Sequence, residues 1–109
     1  AGATYTARCD CYHVPQAVKI IKEGILNKGF SVIDGVSICP TYYGRKNKKG
    51  NAVEMMHWQE KNCIDKSKAK GMTPEELKGK TILGEMSRKV LPEYTERYQE
   101  IIHRLGGDK

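Results

Sequence analysis

The residues best suited to chemistry form one continuous segment, in which a cysteine follows a β-prone run and precedes a string of cations. Residues 36–38 lead into Cys39, and a loop bounded by Pro40 and Gly44 follows it. The next five residues carry four cations: Arg45, Lys46, Lys48 and Lys49. A thiol at the tip of a strand is held by a rigid scaffold and can be aimed at a cofactor, and the cations behind it can dock an anionic partner. The alternative is a buried structural cysteine followed by a solvated loop, because free cysteine is among the most buried residue types.

The other cysteines do not suggest a metal site by their spacing. Cys9 and Cys11 form a C-x-C pair, whereas Cys39 and Cys63 are isolated. Zinc sites usually bring their thiolates in pairs at C-x₂₋₄-C spacing, and in a strand two such side chains project from one face roughly 6–7 Å apart. Two disulfides also fit the count, but no feature of the chain indicates secretion. We therefore predict reduced thiols and a cytoplasmic protein, and leave Cys9 and Cys11 unassigned.

Length and charge narrow the function classes. A chain of 109 residues has room for one domain that buries roughly 60% of its unfolded surface. Its 19 Lys and Arg outnumber 13 Asp and Glu, giving a net charge of +6, which fits an acidic protein, a phosphorylated ligand or nucleic acid. We do not favour nucleic acid, because neither a basic helix nor an RNA-binding aromatic signature is present. No apolar run approaches the ~18 residues of a membrane span, and we expect no membrane partner.

The beginning of the chain shows neither an initiator Met nor the basic and apolar regions of a signal peptide. It opens directly in strand-like sequence. We therefore expect this chain to be a piece of a longer polypeptide.

The first part of the chain predicts a parallel strand–helix–strand unit. A strand over 3–9 precedes a helix with Pro15 in its first turn, and Gly29 closes that helix. A second strand over 30–38 is apolar on both faces apart from Asp34, as in a covered parallel strand. Ligands gather at the carboxyl ends of such strands, which is where Cys39 and residues 8–12 lie.

The second part predicts mostly helices. Asn51 and Glu54 form a capping box that opens a helix running through Ile64, which places Cys63 on a helix. Residues 65–71 read as a linker, a short helix starts at Thr73, residues 80–87 are extended, and a last amphipathic helix runs from Pro92. The predicted class is α/β, with a parallel unit followed by a mostly helical C-terminal extension.

The remaining candidates for chemistry are weak. The three histidines, His13, His57 and His103, show no spacing that pairs them with an acidic residue. Trp58 is interpreted as a packing residue, and Met55 as a gap-filling core residue.

Five stretches carry a resemblance to a known family: GATYTAR at 2–8, KGFSVI at 28–33, CPTYYGRKNK at 39–48, VEMM at 53–56 with Trp58 just behind, and PEYTERY at 92–98. Over these stretches the chain resembles the beta subunit of 2-oxoacid:ferredoxin oxidoreductases, most closely the 2-oxoglutarate branch. The resemblance is densest between residues 1 and 64. It implies that residues 1–39 are the end of a thiamine-diphosphate-binding α/β domain and residues 40–109 the C-terminal region of the subunit.

The resemblance also implies an activity. Enzymes of this family bind thiamine diphosphate with Mg²⁺, decarboxylate a 2-oxoacid, pass electrons through iron–sulfur chemistry to ferredoxin and release an acyl-CoA. The implied partners are the alpha subunit, ferredoxin, CoA and the 2-oxoacid. The alternative hypothesis is a stand-alone basic interaction module that binds an acidic protein or nucleic acid.

The same resemblance implies roles for single residues. Cys39 stands where the family has the fourth cysteine ligand of a four-iron, four-sulfur cluster, while the other three ligands and the diphosphate-binding motif lie in the N-terminal half of the subunit. A cluster takes four thiolates, so we expect the isolated chain to hold no cofactor and to be inactive. The cations Arg45, Lys46, Lys48 and Lys49 are expected to dock either the phosphates of CoA or an acidic ferredoxin surface.

Overall fold

A computed structural model describes residues 2–106 as strands and helices that alternate along the chain. The strands are β1 (Tyr5–Asp10), β2 (Ser31–Val36), β3 (Cys63–Asp65) and β4 (Thr81–Arg88). The helices are α1 (Val14–Leu26), α2 (Ala52–Asn62), α3 (Lys66–Ala69), α4 (Pro74–Leu77) and α5 (Tyr94–Arg104). A π-helical turn, Pro40–Gly44, lies between β2 and α2.

The strands form one four-stranded sheet in the order β2-β1-β4-β3. Strands β1 and β2 are parallel and in register from Tyr5 opposite Ser31 to Asp10 opposite Val36. Strand β4 runs antiparallel to β1, and β3 is parallel to β4. The predicted α/β class and its parallel strand–helix–strand unit are confirmed. Because β1 and β2 point the same way, their carboxyl ends meet at one edge of the sheet.

Strand β4 joins the two predicted regions of the chain. It confirms the extended segment predicted over 80–87, and it pairs with β1 near the middle of the sheet. Its register shifts between Thr6 opposite Ser87 and Ala7 opposite Glu85, as at a β-bulge. The predicted domain boundary at residue 39 stays a prediction. The sheet contains strands from both sides of that boundary, β1 and β2 before it and β3 and β4 after it.

Helix α1 covers one face of the sheet and creates the core. Pro15 occupies its first turn, where a missing N–H costs nothing. Ile20 packs with Tyr5, Ala7 and Cys9 of β1, and all four are buried. Gly24 allows the close approach to β2, because a Cβ there would lie 2.6 Å from the Cδ1 of Ile33.

The opposite face of β2 is open in the described part of the chain. Val32 is 43% exposed, and the carboxylate of Asp34 lies 2.7 Å from Nε of Arg8 on β1. The prediction that β2 is covered on both faces is therefore wrong for residues 2–106, although the strand itself is present.

Several predictions for the second half need correction. Helix α2 ends at Asn62, so Cys63 lies on strand β3 and not on a helix. Residues 65–71 are not a simple linker, because Asp65 caps the short helix α3. The capping box at Thr73 is confirmed, and its helix ends at Leu77.

Helix α5 begins at Tyr94 and extends from the sheet. It carries no buried residue, and its stripe of Tyr94, Tyr98, Ile101 and Leu105 is exposed. The described chain therefore measures 64 × 34 × 23 Å with a radius of gyration of 19.3 Å, against about 13 Å for a compact chain of this length. None of the described helices has the length and apolar character needed to cross a membrane.

Candidate functional site

Cys39 lies just beyond the carboxyl end of β2, as the sequence predicts, and it is exposed. The π-helical turn begins immediately after it, and the N–H of Gly44 donates to the carbonyl of Cys39 over 2.8 Å. The turn folds the chain back over the cysteine. The alternative of a buried structural cysteine at this position is thereby excluded.

The turn also changes the acidity of the Cys39 thiol. The backbone N–H of Tyr43, then that of Tyr42, lowers the pKa of Cys39 by donating to its sulfur, and the hydroxyl of Thr41 adds to the effect. Hydrogen bonds to the charged form favour that form. The thiolate is the form of cysteine that binds metals, and the surrounding turn shifts Cys39 toward that form.

A mostly apolar cavity of about 390 Å³ opens beside Cys39. Its walls come from the end of β2, the π-helical turn, helix α2 and the start of β4. Besides Cys39, the side chains that matter for the argument are Tyr43, Lys49, Met55, Trp58 and Gln59. Trp58, predicted to be a packing residue, is 45% exposed and forms part of this wall.

The cationic segment 45–49 follows the turn on the surface, and Arg45, Lys46, Lys48 and Lys49 are all exposed. The N–H of Lys49 donates to the carbonyl of Gly44 over 2.8 Å, which folds the segment back. Lys49 lines the cavity of Cys39, whereas the other three cations are not among its lining residues within the described chain. None of the four forms an ion pair within residues 2–106. One of the four predicted docking residues therefore lines the same cavity as the thiol, and the other three face solvent.

Gln59 is the residue of the site that sequence reasoning missed. It is 2% exposed, its Nε2 donates to the carbonyl of Val36 over 2.9 Å, and its Oε1 accepts from the thiol of Cys11 over 3.1 Å. The signal was its position four residues after Met55, on the same face of a helix. A polar residue on a buried helix face requires partners.

The four free thiols divide into two classes. Cys9 and Cys63 are buried, and Cys11 and Cys39 are exposed. Burial raises the pKa of Cys9. It raises the pKa of Cys63 to about 12, with the carboxylate of Asp10 as the next cause. Both buried thiols are therefore protonated and structural.

The side chains around Cys39 can supply one ligand of an iron–sulfur cluster, but the described residues do not form a complete metal site. Within residues 2–106, no group of three or more His, Cys, Asp or Glu side chains is placed to hold a metal ion. Cys39 is exposed, its pKa is lowered by the turn that follows it, and it lies beside an apolar cavity. Such a residue can complete a cluster whose remaining ligands come from elsewhere.

Two histidines have acidic partners that the sequence did not reveal. Nδ1 of His13 lies 3.0 Å from the buried carboxylate of Asp10, and Nδ1 of His57 lies 3.1 Å from Glu60. Both pairs are three residues apart, so the interpretation that the spacing of the histidines pairs them with no acidic residue was wrong. Neither pair belongs to the cavity of Cys39.

Comparison with known proteins shows which proteins this chain is similar to. No protein-family model and no solved structure matches the chain. It is 45% identical over 107 residues to 2-oxoglutarate synthase subunit KorB of Methanothermobacter marburgensis, covering 98% of this chain and 38% of that protein. The subunit KorB of Methanothermobacter thermautotrophicus is 41% identical over 98% of this chain and 37% of its own length. That of Methanocaldococcus jannaschii is 45% identical over 99% of this chain and 40% of its own length.

The chain thus spans 37–40% of the length of these curated relatives. The similarity nevertheless extends over nearly all of its own residues, including the segment around Cys39. The resemblance predicted from the sequence is confirmed: over nearly its whole length this chain is similar to part of the proteins named 2-oxoglutarate synthase subunit KorB.

Proposed function

We propose that this chain is the C-terminal part of the beta subunit of a cytoplasmic 2-oxoacid:ferredoxin oxidoreductase acting on 2-oxoglutarate. The complete enzyme would decarboxylate the 2-oxoacid, transfer electrons to ferredoxin and release an acyl-CoA. The observation that carries the proposal is the 45% identity of the chain to subunit KorB. The exposed thiol of Cys39, whose pKa is lowered by the surrounding turn, supports it. A stand-alone basic module would not account for that identity.

In this proposal Cys39 supplies one of the four thiolates of an iron–sulfur cluster, which provides one-electron transfer when it is bound. The amides of Tyr42 and Tyr43 stabilise the thiolate charge. Met55 and Trp58 line the mostly apolar cavity beside the thiol. Solvent exposure and hydrogen bonds to sulfur both affect the reduction potential of a cluster.

The remaining cofactor chemistry belongs outside this chain. We assign none of its residues to thiamine diphosphate or Mg²⁺, and the other three cluster ligands must come from the rest of the subunit. The isolated chain should therefore show no 2-oxoacid-dependent reduction of ferredoxin or a viologen dye. Turnover by the isolated chain after addition of thiamine diphosphate would contradict the proposal.

The cations Arg45, Lys46, Lys48 and Lys49 form a docking surface for an anionic partner. Its candidates are CoA, through its phosphates, and the acidic surface of a ferredoxin. Because Lys49 lines the cavity of Cys39 and the other three face solvent, the surface lies directly beside the proposed cluster ligand. The alpha subunit is the further partner that the assembly requires.

The test compares two cysteine variants in the complete enzyme. Cys39→Ser should reduce the iron content and change the low-temperature EPR signal of the beta-subunit cluster. Cys63→Ser is the control, because Cys63 is buried beside Asp10, and a serine hydroxyl can replace its hydrogen bond. The proposal fails if the two variants have the same iron content and the same EPR signal.

A further inference from the structure

We propose that helix α2 positions Cys39, and that Gln59 is the positioning residue through which it does so. The inference rests on the proposed function, because it concerns the placement of a cluster ligand. Its physical basis is a pair of contacts, one turn of helix apart, that hold the cysteine segment on both sides. We refer to Gln59 and Met55 together as the α2 clamp.

The first contact lies before the cysteine. Val36 is the last residue of β2, and its carbonyl accepts from Nε2 of Gln59 over 2.9 Å. The other end of the same amide accepts from the thiol of Cys11, which follows β1, over 3.1 Å. An amide nitrogen can only donate and an amide oxygen can only accept, so these two partners determine the orientation of the side chain. One buried amide therefore joins the segments that follow both parallel strands.

The second contact lies after the cysteine. Met55 is buried against Gly44, where an added Cβ would lie 2.8 Å from the Met55 sulfur. Gly44 in turn donates its N–H to the carbonyl of Cys39 over 2.8 Å. Because residues four apart lie on one helix face, Met55 and Gln59 contact the segment from Val36 to Gly44 at its two ends. The start of α2 is itself secured by the capping box of Asn51 and Glu54.

The consequence is a fixed position for the thiol. Residues that orient metal ligands from behind are worth about 10- to 100-fold in metal affinity or activity. Removing both hydrogen bonds of Gln59 takes away the link between the segments that follow β1 and β2, and leaves the carbonyl of Val36 without that donor. The turn would then present Cys39 and the amides of Tyr42 and Tyr43 in a less defined arrangement.

The first experiment uses Gln59→Met in the complete enzyme, because methionine nearly conserves the volume and removes both hydrogen bonds. We expect the cluster to assemble with a shifted midpoint potential and an altered EPR spectrum, and to lose iron to a chelator about 10- to 100-fold faster. Amide exchange at Gly44 should accelerate about tenfold, as the loss of one buried hydrogen bond predicts. The matched control is Gln99→Met, at an exposed position of α5, which should change none of these quantities.

The second experiment removes only the other partner of the amide. Cys11→Ala should shift the potential and the Gly44 exchange rate in the same direction as Gln59→Met, and Cys11→Ser, which keeps a donor, should restore both. This pair decides the question if Gln59→Met fails to fold. The inference is overturned if these variants lower only the melting temperature while the potential, the EPR spectrum and the Gly44 exchange rate stay unchanged.

The two proposals fail in different ways. If Cys39→Ser keeps its cluster, the proposed function is wrong whatever happens at Gly44. If Cys39→Ser loses the cluster while Gln59→Met leaves it unaltered in potential, spectrum and iron release, only the positioning role is wrong.

Discussion

The two ends of the parallel pair β1–β2 are held together by different kinds of contact. At the amino end, buried Thr4 donates its N–H to the carbonyl of Phe30 over 2.8 Å, and the N–H of Lys89 donates to the carbonyl of Thr4 over 2.7 Å. Asn27 donates a further hydrogen bond to the Thr4 hydroxyl over 3.0 Å. Backbone hydrogen bonds, supported by the side chains of Thr4 and Asn27, therefore close this end.

At the carboxyl end, the contact between the two following segments is made by a side chain. The segments that follow β1 and β2 are joined through Gln59, while the thiol of Cys39 and the cations behind it stay exposed. This arrangement leaves side-chain groups free for chemistry at the edge where ligands of such sheets usually bind. We infer from this comparison that the amino end contributes stability and the carboxyl end contributes the site, and the first two of the four predictions below test that division.

The largest expected effect is at Gly29, which closes the amino end with φ of +120°. Gly29→Ala should lower the free energy of unfolding by about 3 kcal/mol, because the backbone conformation disfavours a side chain and the new Cβ would lie 2.6 Å from the Thr4 hydroxyl. Gly35→Ala, near the carboxyl end of β2, is the control, because a Cβ there meets nothing within 4 Å. Urea unfolding measures both, and equal losses would contradict the division.

The next effect concerns the cations of the carboxyl end. Neutralising Arg45, Lys46, Lys48 and Lys49 together in the complete enzyme should slow electron transfer to ferredoxin, or raise the KM for CoA, by about tenfold at low salt. Iron content should not change. The effect should shrink as salt rises, because the Debye length falls from about 10 Å at 0.1 M to about 3 Å at 1 M.

The control for this experiment neutralises four other exposed lysines, so that the net charge matches: Lys19, Lys22, Lys70 and Lys78. Which kinetic parameter changes identifies the partner. If the loop variant and the control behave alike at low ionic strength, segment 45–49 is an ordinary solvated surface.

A smaller effect is expected at Asp65, which caps α3. The hydroxyl of Ser67 and then its backbone N–H lower the pKa of the Asp65 carboxyl. Since the folded pKa lies below the unfolded one, this contribution is present above about pH 4 and is lost as the pH falls through the folded pKa. Asp65→Asn keeps a capping oxygen and removes only the charge, so it should cost about 0.5 kcal/mol near pH 7 and converge with the unmodified chain in acid. A cost that is independent of pH would exclude the charged cap.

The smallest effect is expected at Tyr98 on helix α5, which extends from the sheet. This residue is 53% exposed and stacks on Tyr94 with ring centroids 6.0 Å apart, while α5 contributes no buried residue. Tyr98→Ala should change the free energy of unfolding of this chain by less than about 0.5 kcal/mol. A loss of 2 kcal/mol or more in thermal unfolding would show that α5 packs on the sheet.

Local signals in the sequence predicted most of the first half. Pro15 marks the start of α1 because its ring restricts the backbone angles, whereas Gly29, predicted to cap the helix, lies two residues beyond the actual C-cap, Asn27. The position of Cys39 followed from the end of the strand before it. The same reasoning failed at Cys63, where the helical pattern continued past Asn62 but pairing with β4 drew residues 63–65 into the sheet. Pairing partners distant in sequence leave no local signal.

By itself, the sequence determined the capping boxes at Asn51 and Thr73, the thiol that follows β2 and the cations that follow the thiol, because these depend on neighbouring residues. Its similarity to subunit KorB is likewise a property of the sequence. Only the tertiary structure decided which thiols are exposed, that Lys49 alone of the four cations lines the cavity within the described chain, and that Gln59 joins the ends of two strands. Burial and hydrogen bonding at these positions depend on segments more than 20 residues apart, which come together only when the sheet has formed.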